Sequence, residues 1–308
     1  MSSDSIAPKS FGEIIDGADN DSLRIQAFCQ DRWNASDCHW KTTFVADGFE
    51  GLQPDPILTK LLRDPSYEDP RNNLTIWARP TSAVTDLAVY CQRELQKLDL
   101  DPCSRTFKVL VLTVPKDIWL TPEDGLHMTV LVVALHLSAD ELDSSMPRLK
   151  PLLENMSKFH ADHQTRLVKP AIFFSDSGVV LSYVPCAGEI ADGQAVGDDY
   201  TFLHLQRDLF ELCCEYGIDM SAQKNPGSCY MTLGRFIDGE NRDSDARPDA
   251  AAMARWLAGV EKINQTLRRE YWPSEGAAPA AGNWIVGRDG FDIRKGRSWY
   301  GGGQSVPL

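Results

Sequence analysis

Four side chains in this sequence have the types and spacing that chemistry needs. His127 and Thr129 lie two apart in the apolar run Gly125-Leu126-His127-Met128-Thr129-Val130-Leu131. Further along, Tyr230 and Thr232 repeat the spacing in Ser228-Cys229-Tyr230-Met231-Thr232-Leu233-Gly234-Arg235-Phe236. Side chains of a strand alternate between its faces, so the members of each pair point the same way. A polar ring plus a hydroxyl, offered twice by buried strands, is what a small internal pocket requires. The first ring is an imidazole, which titrates near neutrality. The second is a phenol, which donates a proton or a hydrogen bond.

The elements that must position these strands follow from periodicity. Residues 1–21 are polar and acidic and read as a disordered leader without the apolar core of a signal peptide. Residues 22–73 read as an N-terminal extension packed on the body through Trp33, Trp40, Phe44 and Phe49. Within it, Asp55-Pro56 opens a short helix, with aspartate at the cap and proline in the first turn. Residues 74–308 then form the main domain. Leu74–Ala78 reads as a strand, Ser82–Leu98 as an amphipathic helix and Phe107–Val114 as a covered strand. Asp140–His163 is helical, with Pro147 and Pro151 expected to break or kink it. Leu167–Phe174 and Val179–Val184 read as a hairpin, and Asp198–Tyr216 as a helix closed by Gly217. A polar loop at 238–248, an Ala-rich helix at 249–271 and a linker at 275–282 come next. Trp284–Val286 and Phe291–Ile293 read as a closing hairpin. Helix, strand pair and polar-x-Thr strand occur in both halves, the mark of a duplicated α+β unit.

Bulk composition narrows the partners. The net charge of −13 opposes a long nucleic-acid partner, since phosphate neutralisation needs Lys and Arg. A pocket for one small anion and a site for an uncharged molecule both remain open. The eight cysteines are scattered, without CxxC or zinc-type spacing, and read as reduced thiols in a cytoplasmic protein. No apolar run reaches the length of a membrane span. No metal site, cofactor fingerprint, P-loop or Gly-x-Ser-x-Gly elbow is present. Nothing in the sequence fixes the oligomeric state.

Other candidates divide by strand face and position. Lys169 reads either as a group that steers an anion or as a solvated strand end. Trp299-Tyr300 and the glycines after it read either as a flap over a ligand, with Tyr300 in contact, or as ordinary packing. An odd offset sets His136 on the face opposite His127, and sets Arg235 opposite Tyr230 and Thr232, where it supports the sheet or pairs with an acid. His160 and His163 read as a solvated helix face.

Taken together, Asp69–Leu74, Trp77-Ala78-Arg79-Pro80, Leu126–Thr129, Arg166–Pro170, Tyr230–Phe236 and Trp299–Gly303 resemble the two-histidine phosphoesterase superfamily. The chain looks most like its fungal RNA ligase/cyclic nucleotide phosphodiesterase-like group. The resemblance implies a bilobal fold, with two antiparallel sheets flanking a central cleft, helices outside and a pseudo-two-fold. It also implies metal-independent chemistry on a small molecule, with His127 as general base, a proton donor across the cleft, and hydroxyls of Thr129 and Thr232 on phosphate oxygens. In the family both strands carry histidine, and here Tyr230 holds the second place as the possible acid. That departure admits three outcomes: a phosphodiesterase-like hydrolase with an altered pair, a cyclase or isomerase repurposed for secondary metabolism, or an inactive nucleotide- or small-ligand-binding module.

Overall fold

The computed structural model describes residues 10–98, 118–189, 198–220, 227–237, 250–273 and 279–308. The strand expected at Phe107–Val114 and the loop at 238–248 lie outside these residues. So do residues 1–9 and residues 275–278 of the expected 275–282 linker.

The fold is α+β. Among the described residues seven α-helices accompany the strands: α1 (Phe11–Gly17), α2 (Ser22–Phe44), α3 (Pro56–Arg63), α4 (Ser82–Gln96), α5 (Ala139–Phe159), α6 (Phe202–Glu215) and α7 (Ala250–Tyr271). The strands are β1 (Asn72–Ala78), β2 (Ile118–Leu120), β3 (Met128–Leu137), β4 (Thr165–Phe174), β5 (Gly178–Pro185), β6 (Tyr230–Phe236), β7 (Asn283–Val286), β8 (Asp292–Gly296) and β9 (Gln304–Ser305). Their order is β7-β4-β5-β6-β3-β1-β8-β9, with β2 also on β6, and every pairing is antiparallel.

Hydrogen bonding therefore runs through one curled nine-stranded sheet, where two sheets were expected. The continuity hangs on a narrow join. β3 and β6 pair only at Met128 and Met231, and then diverge. Beyond the join, β2 takes the place beside β6, from Gly234 to Phe236. Where the strands part, two buried glutamines bond to the backbone beside the join. Gln92 of α4 donates to the carbonyls of Thr121 (2.8 Å) and Leu233 (2.9 Å). Gln206 of α6 donates to the carbonyl of Val130 at 2.9 Å and accepts from the Gly227 amide at 2.8 Å. Leu233 and Val130 each stand two residues past the joining methionine of their own strand.

Three expectations change, and the extension gains a defined element. The segment from residue 10 is no leader: Ser10 and Glu13 form a capping box, and Phe11, Ile14 and Ile15 of α1 are buried. The extension contributes a 23-residue helix, α2, whose Ile25 and Cys29 pack with Val168 and Val184. Pro147 and Pro151 both sit inside an unbroken α5, where Leu149, Leu152, Leu153 and Met156 are buried. Burial of that face offsets the missing backbone donors. Finally, β7 and β8 do not pair with each other. β7 joins β4, and β8 joins β1 and β9 on the far side of the sheet. The α3 reading holds: Asp55 caps the Ile57 and Leu58 amides, and Pro56 begins the helix.

Candidate functional site

The join at Met128 and Met231 also builds the site. Both methionines are fully buried, so the residues on either side of them turn to the opposite, concave face of the sheet. His127 and Thr129 reach it from one strand, and Tyr230 and Thr232 from the other. Counted from the two methionines, His127 corresponds to Tyr230 and Thr129 to Thr232. All four line one cleft of about 390 Å³, with Trp77, Trp119, Trp299 and Tyr300 among its walls.

His127 is rigidly held. Its ring stacks on the buried Trp77 indole, with centroids 3.5 Å apart and planes 12° apart. Its Nδ1 lies 2.8 Å from the carbonyl oxygen of Gly125, which accepts only, so Nδ1 carries the hydrogen and Nε2 the lone pair. Burial pushes the imidazole down to about 4; the Gly125 bond opposes this, and the Arg79 and Arg294 guanidiniums add to it. At neutral pH the ring is an uncharged acceptor.

This depression is also a statement about stability. Between about pH 6.5 and 4 the unfolded chain takes up a proton at His127 that the native state refuses, so stability falls as pH falls through that window. The full loss is about 3 kcal/mol, of which about 2 kcal/mol has gone by pH 5. Urea unfolding at pH 7 and pH 5, compared between the native protein and His127→Gln, isolates the contribution. A pH-dependent difference of under about 0.5 kcal/mol between the two would contradict the buried neutral ring.

Across the cleft, Tyr230 is 41% exposed. Thr75, Thr121 and Trp299 also line the cleft, while Thr75 Oγ1, Thr121 Oγ1 and Trp299 Nε1 are themselves buried behind its surface and have no hydrogen-bond partner among the described residues.

Arg235 enters the same cleft, against the alternation argument. The pairing of β5 with β6 slips between Val179–Gly234 and Val180–Thr232, a bulge at Leu233 that returns Arg235 to the face of Thr232. The acid expected beside it is Asp55, at 3.7 Å. Asp55 also accepts from the Tyr300 hydroxyl at 2.8 Å, and Arg71 donates to that hydroxyl at 3.1 Å. Arg71 is itself held bidentately by Asp69 and lies over the Trp299 ring at 4.9 Å. The C-terminal segment is thus packed and cleft-lining at once. Gly301 makes this closure possible: its φ is +84°, and a Cβ there would come within 2.7 Å of the Gly125 Cα.

No protein-family profile matches the chain, and no curated protein matches it. Among solved structures, a conserved protein of unknown function from Agrobacterium tumefaciens strain C58 is similar over 86% of this chain and 97% of its own. The identity is 13% and the TM-score 0.47.

Lys169 does not join the cleft. A left-handed φ of +57° turns it aside, and its ammonium meets Glu189 at 2.7 Å and Gln26 at 2.6 Å. Burial would raise Glu189, yet bonds from Lys169, the Ala187 amide and Gln26 hold it at about 2. Lys169 serves the seat of α2. His136 also stays out of the cleft but stacks on Trp299 at 5.5 Å, backing the wall. α5 ends at Phe159, so His160 and His163 share no helix face, and His163 stacks back on Phe159 at 3.9 Å.

Sequence reasoning missed Trp77, Gln92 and Gln206. Trp77 needed the β1–β3 register, which sets it opposite Thr129. The glutamines carried a legible signal: each is a polar residue within the buried stripe of an amphipathic helix, beside Cys91 or Leu205. Among the described residues no three His, Cys, Asp or Glu side chains converge as metal ligands. Among them, too, no helix is long and apolar enough to cross a membrane.

Proposed function

We propose that this protein is a small-molecule enzyme on a two-histidine-phosphoesterase-like scaffold, duplicated about the Met128–Met231 join, with an altered His127/Tyr230 pair. The observation that carries the reading is the matched register of the two strands. Counted from those methionines, His127 matches Tyr230 and Thr129 matches Thr232, and the carbonyls bound by Gln206 and Gln92, those of Val130 and Leu233, match as well. Two halves so related put a ring group and a hydroxyl on each side of one cleft. In-line displacement at phosphorus needs that arrangement, with a proton acceptor and donor on opposite sides.

The step on a 2′,3′-cyclic phosphodiester would run as follows. Nε2 of His127 takes a proton from water as the water oxygen bonds to phosphorus. The bond from phosphorus to the leaving oxygen breaks, and the Tyr230 hydroxyl gives its proton to that oxygen. Proton exchange through solvent returns both rings to their starting forms, and the product is a monoester. Thr129 and Thr232 hydroxyls, with Arg235, would hold the non-bridging oxygens. An acceptor held at about 4 is fully unprotonated but weakly basic, so a slow reaction is expected.

The decisive measurement is product formation from 2′,3′-cyclic nucleotides. The native protein should turn over slowly, and His127→Ala should lower the rate by about 10²-fold or more. Equal rates in both proteins would remove the catalytic reading. A second reading, a cyclase or isomerase acting on an uncharged substrate, is favoured by the Trp77, Trp119 and Trp299 walls.

A further inference from the structure

A second cavity of about 350 Å³ lies beneath α2, beside the first. The two share Ser228, Tyr230, Thr232 and Arg235 as lining residues, so these four side chains stand between them. The reason for the space is visible in the packing. α2 is pinned near its start by Ile25 and Cys29, and at its end by Phe44 against Phe174 and Trp256. Between the pins, Trp33, Ser36 and Trp40 follow Cys29 at four, seven and eleven residues, on one helix face. The floor opposite carries short side chains, Val180 and Ser182 on β5 and Thr232 on β6. A helix fixed at both ends over such a floor bridges it and cannot close down on it.

The lining of the combined space is chemically biased. The chain has 44 acidic residues and a net charge of −13, yet no aspartate or glutamate lines either cavity among the described residues. The cations there are Arg32 and Arg235, the latter 3.7 Å from Asp55, which lines neither cavity. Trp33 rests against Phe173 with centroids 4.8 Å apart and keeps part of its surface exposed. An indole steadied on one side offers its remaining face to another planar ring, and stacking of this kind is tolerant of ring identity. Serine hydroxyls at 36, 175 and 177 surround it, suited to heteroatoms at a ring edge.

We propose that the cavity beneath α2 is the second compartment of the ligand site, taking the planar aromatic group of an anionic ligand whose charged group lies between His127 and Tyr230. This rests on the catalytic cleft described above and adds the ligand's class: an anion at one end and an aromatic ring system at the other. It also gives the N-terminal extension a role, since α2 supplies the wall.

Isothermal titration of the full chain with adenosine 2′-monophosphate and with ribose 5-phosphate tests it. The nucleotide should bind at least tenfold more tightly than the sugar phosphate. Trp33→Ala should weaken the nucleotide by about tenfold or more while leaving ribose 5-phosphate within about twofold. Ser36→Trp, which fills the compartment from an exposed helix position, should do the same; unchanged sugar-phosphate binding certifies the fold of both variants. Equal affinity for the two ligands would overturn the proposal, as would nucleotide binding indifferent to both substitutions. Binding is read without turnover, so a protein that hydrolyses nothing yet binds in this ring-dependent way would sink the hydrolase reading and leave this one standing.

Discussion

Tyr230→His is expected to raise the rate of 2′,3′-cyclic nucleotide hydrolysis by about 10²–10⁴-fold, the usual contribution of a well-placed acid–base partner. Residue 230 precedes Met231 as His127 precedes Met128, and both line one cleft, so on the proposed function an imidazole there would face the opposite side of a bound phosphorus. The position is 41% exposed, so the new ring escapes the desolvation that holds His127 at about 4. The two groups then play unequal parts. Catalysis needs His127 unprotonated and the introduced imidazole protonated. The rate should therefore rise with pH through about 4 and fall above about 6.5, the reference value for imidazole. Initial rates of monoester formation between pH 4 and pH 9 measure both features. A gain under threefold, or a rate still climbing above pH 7, would show that the two rings do not act on opposite sides of one group.

The second large effect concerns the seat of α2. Asp198→Ala is expected to lower stability by about 3–5 kcal/mol, because it strands a buried cation. The side chains of Arg166 and Asp198 are 3% and 7% exposed and meet through two bonds, of 3.1 and 2.8 Å. Asp198 also accepts from the Gly188 amide at 2.6 Å. Guanidinium does not deprotonate in proteins, so Arg166 cannot escape by losing its charge. Its other contacts, the Glu189 carbonyl and Cys186 Sγ, bear no full opposite charge. The cluster continues through Glu189 to Gln26 of α2, which also donates to the Pro185 carbonyl. Its loss should therefore loosen the helix that roofs the second compartment. Urea midpoints and slopes for the native protein and Asp198→Ala check this. A change of less than about 1 kcal/mol would mean that Glu189 already compensates the charge.

Much of the scaffold was legible because it is local. Asp55 before Pro56, Gly217 after α6 and the hairpin turn at Ser175–Gly178 act through residues a few positions away, and each appears as read. The paired spacing of His127 with Thr129 and Tyr230 with Thr232 needed only strand alternation, and all four side chains share a cleft. Tyr300 joined them there, while Lys169 was drawn off by Glu189 and Gln26, partners far away in sequence.

The remaining departures share one cause. Arg235 reached the cleft because pairing with β5 slips by a residue at Leu233, and a slip exchanges the two faces of a strand. β7 and β8 read as a hairpin, yet each found its partner on a different side of the sheet. α2, whose sequence showed scattered aromatics and no clean stripe, is held as a helix by what it covers. Sequence by itself determined which short stretches are strands or helices and which rings and hydroxyls share a face, since those follow from backbone geometry within a segment. The tertiary structure alone decided the bulge, the choice of strand neighbours, the burial that keeps His127 uncharged and the space beneath α2. Each of these depends on which distant surface fills the other side of a contact, and no local pattern carries that information.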